Sequence, residues 1–164
     1  MDGVALRDEA WAVRQAAVPG VGAAFGAEAC RTLLPLLASD PSPEVRMAAA
    51  AALDARRRPS VADAVLRALD DPHAGVRRTA QGAIQSLDSE DALPAIHRAL
   101  VRERSRAEPR AVAYARLFVL FEQHAGWAPG YTPGMPQAEL DVLIARVGEI
   151  AGRVLASAGR GPRR

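Results

Sequence analysis

The chain has 164 residues, 49% apolar, 24% charged and 4% aromatic, with a formal net charge of +2. That apolar content excludes disorder throughout, and no apolar run approaches the ~20 residues that a bilayer-spanning helix needs. The 21 basic residues are all arginine against 19 acids, and three of them sit in the closing GRGPRR, so residues 1–158 carry −1 and lack the basic body of a nucleic-acid binder.

In chain order, apolar residues recurring at i, i+3 and i+4 predict helices over 4–18, 26–38, 43–55, 60–70, 74–87, 90–103, 108–124 and 137–157. The stretch Val18-Pro-Gly-Val-Gly-Ala-Ala-Phe-Gly is a poor helix former, so 18–26 reads as a loop, with Gly20, Gly22 and Gly26 as loop glycines. Pro35 should kink the second helix or mark its start. Residues 125–136, AGWAPGYTPGMP, form a Pro/Gly-rich connector. The last helix carries Leu140, Leu143, Ile144, Val147, Ile150 and Val154 on one stripe and reads as a cap over 137–158. Residues 159–164 read as a disordered basic tail. No stretch shows sustained strand alternation.

The chain repeats itself. Asp40-Pro41, Val45-Arg46, Ala49 and Leu53 recur 31 residues later as Asp71-Pro72, Val76-Arg77, Ala80 and Ile84. Leu33-Leu34-x-x-Leu37 recurs 32 residues on as Val65-Leu66-x-x-Leu69, and Ala95-Ile96-x-x-Ala99-Leu100 is a looser copy. Asp8 and Val13-Arg14-Gln15-Ala16-Ala17 form a fourth trace, 32 residues before Asp40 and Val45-Arg46. Each unit is a short apolar helix, an Asp-Pro break and a second helix that opens with Val-Arg. The prolines break the first helix, Pro43 suits the first turn of the next, and Glu44 suits its positive end.

Leu-Leu-x-x-Leu followed by Asp-Pro-x-x-x-Val-Arg resembles the HEAT-like repeat family, in its short form found in phycobilisome-lyase-type repeat proteins. The resemblance covers residues 28–100 well, and 8–18 and 107–124 poorly. It implies an all-α fold, a right-handed α-solenoid of stacked antiparallel helix pairs over residues 1–124, with the second helices lining the concave face. Asp40, Val45, Asp71 and Val76 are then structural repeat positions.

Arg14, Arg46 and Arg77 share one repeat position, and Asp40 and Asp71 another. The residue types favour a structural ladder, each arginine bonding a carboxylate or turn carbonyls near its own repeat, over a row of anion receptors. Arg102, Arg104, Arg106, Arg110 and Arg116 gather where the third Asp-Pro turn is lost, opposed locally by Glu103 and Glu108, and Arg56-Arg57-Arg58 fall in a preceding turn. Solvated loop charge is the plain reading of these. The sharper one is a patch that docks an acidic partner, with Arg46, Arg77, Arg78, Arg102, Arg104, Arg106 and Arg110 as its candidate residues. His73, His97 and His124 lack metal-ligand spacing, so no metal or cofactor is expected. Cys30 reads as a small buried thiol. Trp11 either caps the open end of the array or marks a contact with another chain, and Trp127 and Tyr131 fasten the connector.

No catalytic constellation stands out, and an extended stack of helix pairs offers a surface for peptides or protein faces. The expectation is a non-enzymatic interaction or scaffold module that holds a protein partner. A nucleic-acid partner is not favoured. The resemblance also implies two alternatives. One is an alkylpurine DNA glycosylase-like protein, for which two tryptophans at opposite ends and a near-neutral body are a poor match. The other is a bilin lyase-like protein, which no particular residue selects. Self-association through the N-terminal half-repeat is a further expectation. A start without the basic region of a secretory signal and a single cysteine predict a cytoplasmic protein that does not bind membranes.

Overall fold

In a computed structural model of the chain, residues 5–23, 27–53, 59–107 and 110–158 are described. The Arg56-Arg57-Arg58 turn, Gly26, Glu108 and the 159–164 tail lie outside them. The described residues form eight helices and no strand, as an all-α repeat requires. They fall into two compact units, residues 1–86 and 87–164.

Unit 1 holds α1 (Trp11–Ala23), α2 (Ala27–Ser39), α3 (Pro43–Ala52), α4 (Pro59–Ala68) and α5 (Ala74–Gln85). Its second-type helices form one layer, α1 against α3 and α3 against α5, and α2 packs against α4 in the other. The hairpins α2–α3 and α4–α5 join the layers. Between them lie Leu33, Leu37, Val45, Ala49, Val61, Val65, Val76, Ala80 and Ile84, all buried. All but Val61 are periodic positions of the sequence, and burying a valine, leucine or isoleucine side chain stabilises by about 1.5–3 kcal/mol.

The local chemistry explains the breaks. Ser42 caps α3 in an extended conformation and accepts from the Val45 amide at 3.4 Å, while its hydroxyl donates to Glu44 Oε2 at 2.6 Å. Pro43 occupies the first turn, where no amide is needed.

Two sequence expectations change. The first well-defined helix runs over 11–23, not 4–18, and continues through Pro19, Gly20 and Gly22, which propensity had placed in a loop. Packing overrides propensity here. Val18 and Val21 are buried, and a Cβ on Gly22 would come within 2.9 Å of the Ala52 Cβ, so the bare backbone is what lets α1 approach α3. Pro35 lies inside α2, which begins at Ala27, so it does not mark that helix's start. Its carbonyl accepts from the Ser39 hydroxyl at 2.9 Å.

Unit 2 holds α6 (Ser89–Arg104), α7 (Ala111–Ala125) and α8 (Gln137–Ala158), with α6 packed against both of the others. The connector is fastened as its aromatics suggest. Tyr131 stacks on Phe118 with ring centres 5.0 Å apart, and Trp127 meets Phe121 edge-on at 6.1 Å. The Arg146 guanidinium lies 4.8 Å above the Trp127 ring. Gly126, in the left-handed conformation at φ 64°, ends α7 and returns its amide to the Glu122 carbonyl. Where α8 crosses α6, a Cβ on Gly148 would come within 2.7 Å of His97 Nε2.

Candidate functional site

The repeat-position arginines and aspartates form a ladder along the second-helix layer of unit 1. Arg14 Nη1 donates to the carbonyls of Asp8 and Glu9 at 2.7 and 3.0 Å. Its Nε and Nη2 donate to the two carboxylate oxygens of Asp40, both at 2.8 Å. Arg46 repeats this, with Nη1 on the carbonyls of Asp40 and Pro41 at 2.8 and 3.3 Å and its other edge on Asp71 at 2.8 and 2.9 Å. Arg77 Nη1 holds the carbonyls of Asp71 and Pro72, each at 2.8 Å.

Each arginine therefore clips its own turn, as expected, and Arg14 and Arg46 also bind the aspartate of the following repeat, which the sequence alone did not reveal. Each aspartate also ties its own turn. Asp40 Oδ1 accepts from the Ser42 amide at 2.9 Å, and Asp71 Oδ1 from the His73 amide at 2.8 Å. Burial alone would raise the Asp40 and Asp71 carboxyls, but the guanidinium and amide hydrogen bonds bring both below the usual range. Two-point pairs of this kind fix geometry as well as adding energy.

Most of the other candidate arginines belong to unit 2. Glu103 is buried and stands in for the lost third aspartate. Its Oε1 accepts from the Arg110 amide and Nε at 2.8 and 3.0 Å, and its Oε2 from Arg110 Nη2 at 2.7 Å. Arg106 approaches the same carboxylate at 3.7 Å. Burial would raise the Glu103 carboxyl, and these partners bring it below the usual range. Arg104 turns instead to Asp141 of α8, with contacts of 2.6 and 3.1 Å. Arg78 and Arg102 are exposed. Arg46 and Arg77 belong to the ladder, Arg106 and Arg110 converge on Glu103, and Arg104 fastens α8.

Other candidates have plain surroundings. His73 is exposed at the start of α5, without a side-chain cap bond. His124 offers its carbonyl to the Ser89 hydroxyl at 2.8 Å. Cys30 is half-buried rather than fully buried. The Tyr114 hydroxyl is buried with no hydrogen-bond partner among the described residues, and burial pushes its phenol up. No cluster of three metal-ligating side chains occurs among the described residues, and no described helix is long and apolar enough to cross a membrane.

Sequence reasoning missed one feature. An open groove of about 620 Å³ lies between α2 and α4, with Leu34, Pro35, Leu37, Ala64 and Ala68 in its lining and Arg31 and Arg67 among its charged residues.

Helical hairpins stacked in register, and bolted by one recurring ion pair, define an α-solenoid repeat protein. The family model for HEAT repeats matches residues 4–85 and 30–117, and the chain belongs to that family. No curated protein and no solved structure matches the chain significantly. Repeats of this family generally mediate protein–protein interaction or scaffolding.

Proposed function

We propose that the protein is a non-enzymatic interaction module that holds a protein partner against the second-helix layer of unit 1. The observation that carries this reading is the ladder. It locks α1, α3 and α5 in fixed register, while, away from Trp11 and Val13 at the free edge of α1, many of the side chains they turn outward are small or polar. Ala16, Pro19, Ala51 and Gly82 are exposed along that layer, with Arg78, Gln81 and Gln85 beside them. A rigid face with little side-chain entropy to lose presents a preorganised docking surface. Arg78 supplies charge for an acidic partner there. The pairing of Arg46, Arg104 and Arg110 with acids leaves little net positive field, which favours a protein partner over a nucleic-acid backbone.

The test is affinity purification from the native lysate with wild type, Ala51→Glu with Gly82→Glu, and Ala38→Arg in the α2–α4 groove. A partner retained by wild type and by Ala38→Arg, but lost with the α3/α5 pair at unchanged helical circular dichroism, supports this face. Loss only with Ala38→Arg moves the binding site to the groove. Retention of nothing specific by any of them counts against a stable protein partner.

A further inference from the structure

Within unit 1, α1 differs from α3 and α5 in what it leaves uncovered. Val13 and Ala17 occupy the repeat positions of Val45 and Ala49 and of Val76 and Ala80. Those four are 0% exposed, whereas Val13 is 41% exposed and Ala17 only half-buried. Trp11, in the first turn of α1, is 47% exposed. A helical stripe that neighbouring helices cover completely in two repeats stands open in the third.

At the same end of the ladder, among the described residues, the leading aspartate's carboxylate has no guanidinium on it. Asp8 precedes α1 as Asp40 precedes α3. Its Oδ1 accepts from the Ala10 amide at 2.8 Å, matching the contacts of Asp40 with Ser42 and of Asp71 with His73. Asp40 and Asp71 each receive the Nε/Nη2 edge of an arginine from the preceding second-type helix. No guanidinium reaches the exposed Asp8 carboxylate among the described residues, and Arg14 touches only its main-chain carbonyl.

We propose that this edge of unit 1 is a docking surface for an arginine-bearing helical hairpin of a partner protein, packed against α1 as one added repeat. The arginine takes the Asp8 carboxylate through its two-nitrogen edge, and the hairpin's apolar side chains cover Val13, Ala17 and Trp11. Two features select this occupant. The Ala10 amide already orients the carboxylate as its paired counterparts are oriented, and a planar guanidinium matches both oxygens at once where a lysine offers a single point. The open stripe has i, i+4 spacing, which a helix packs by setting its own ridge into the groove beside it.

The probe is a synthetic peptide of residues 27–53 of this chain, which carries Arg46 in the required register. It is titrated into the full chain with Trp11 emission as the readout, and a Trp11→Phe chain as the blank. Saturable blue-shifting is expected, weakened roughly tenfold by Asp8→Asn in the chain and by Arg46→Lys in the peptide. A chain extended at its front by a second copy of residues 27–53 makes the test independent of how well the peptide folds. It should melt higher than the parent, and Asp8→Asn should remove most of that gain while changing the parent little. Indifference to Asp8→Asn in both formats overturns the proposal, as does absence of both binding and gain. Sedimentation showing self-association of the full chain that Asp8→Asn abolishes would give the edge to a second copy and overturn the partner assignment.

Discussion

Unit 1 is held by one bond used repeatedly, and unit 2 by several bonds used once. In unit 1 Arg14, Arg46 and Arg77 each reach their own turn, Arg14 and Arg46 also take the next aspartate, and the same valine and alanine positions form the core of α3 and α5. In unit 2 the acid is a glutamate on α6, its arginine lies seven residues later, and the connector rests on Phe118 and Phe121 through Tyr131 and Trp127. A periodic sequence folds by propagating one solution between neighbours. When the Asp-Pro turn disappears, the chain closes its core with large aromatic side chains and long-range ion pairs.

The largest effects break each unit by its own means. Val76→Asp places a charge where the side chain is fully buried, and should destabilise unit 1 by roughly 4 kcal/mol or more. Phe121→Ala removes a fully buried ring and should cost unit 2 about 3–5 kcal/mol. Hydrogen exchange read segment by segment checks the comparison. Val76→Asp should open residues within 5–86 and Phe121→Ala residues within 87–158. Equal loss of protection over the whole chain with either substitution would show that the units do not act separately.

A smaller test compares two chemically similar ion pairs. Asp40→Ala strands the buried Arg14 guanidinium and frees the Ser42 amide, at about 3 kcal/mol. Asp141→Ala breaks a pair that solvent reaches on both sides and should shift the midpoint much less. Denaturant midpoints of the two variants decide it, and equal shifts would deny the ladder any special weight. The α1 glycines give effects of opposite sign. Gly22→Ala should destabilise by about 1–2 kcal/mol, because its new methyl meets Ala52. Gly20→Ala meets nothing within 4 Å and should stabilise by up to about 1 kcal/mol.

The repeat unit was legible because its positions do one thing each. Asp-Pro breaks a helix, Val-Arg starts one, and Leu-Leu-x-x-Leu faces the core, so the described residues within 28–87 read correctly as hairpins. The direction of the ladder was not legible, since sequence spacing alone cannot distinguish an arginine bonding its own aspartate from one bonding the next. Pro19, Gly20 and Gly22 misled because helix propensity is local and the close fit of Gly22 on Ala52 is not. In unit 2 the arginines of 102–110 looked like one patch, because nothing in the sequence announces that Glu103 is buried or that Asp141, 37 residues past Arg104, lies beside it.

Acid should separate the two units by the groups that respond first. His97 in unit 2 lies against Gly148, and burial, with a lesser push from Arg98, holds its imidazole below the ordinary value of 6.5. The unfolded chain then takes up this proton before the folded one does, so stability is full above pH 6.5 and begins to fall on acidification below it. The carboxyls of Asp40 and Asp71 in unit 1 sit below their ordinary 3.8. Their contribution is intact above that value and is lost only as pH drops through the lowered folded values. Segment-resolved exchange between pH 7 and 3 should show unit 2 loosening first, and His97→Gln should delay its loss. Glu103 adds a second carboxylate loss to unit 2 below its ordinary 4.5, so the His97 effect must be read above that pH. Loosening of unit 1 ahead of unit 2 between pH 6.5 and 4.5 would show that the ladder carboxylates are not held as their bonds require.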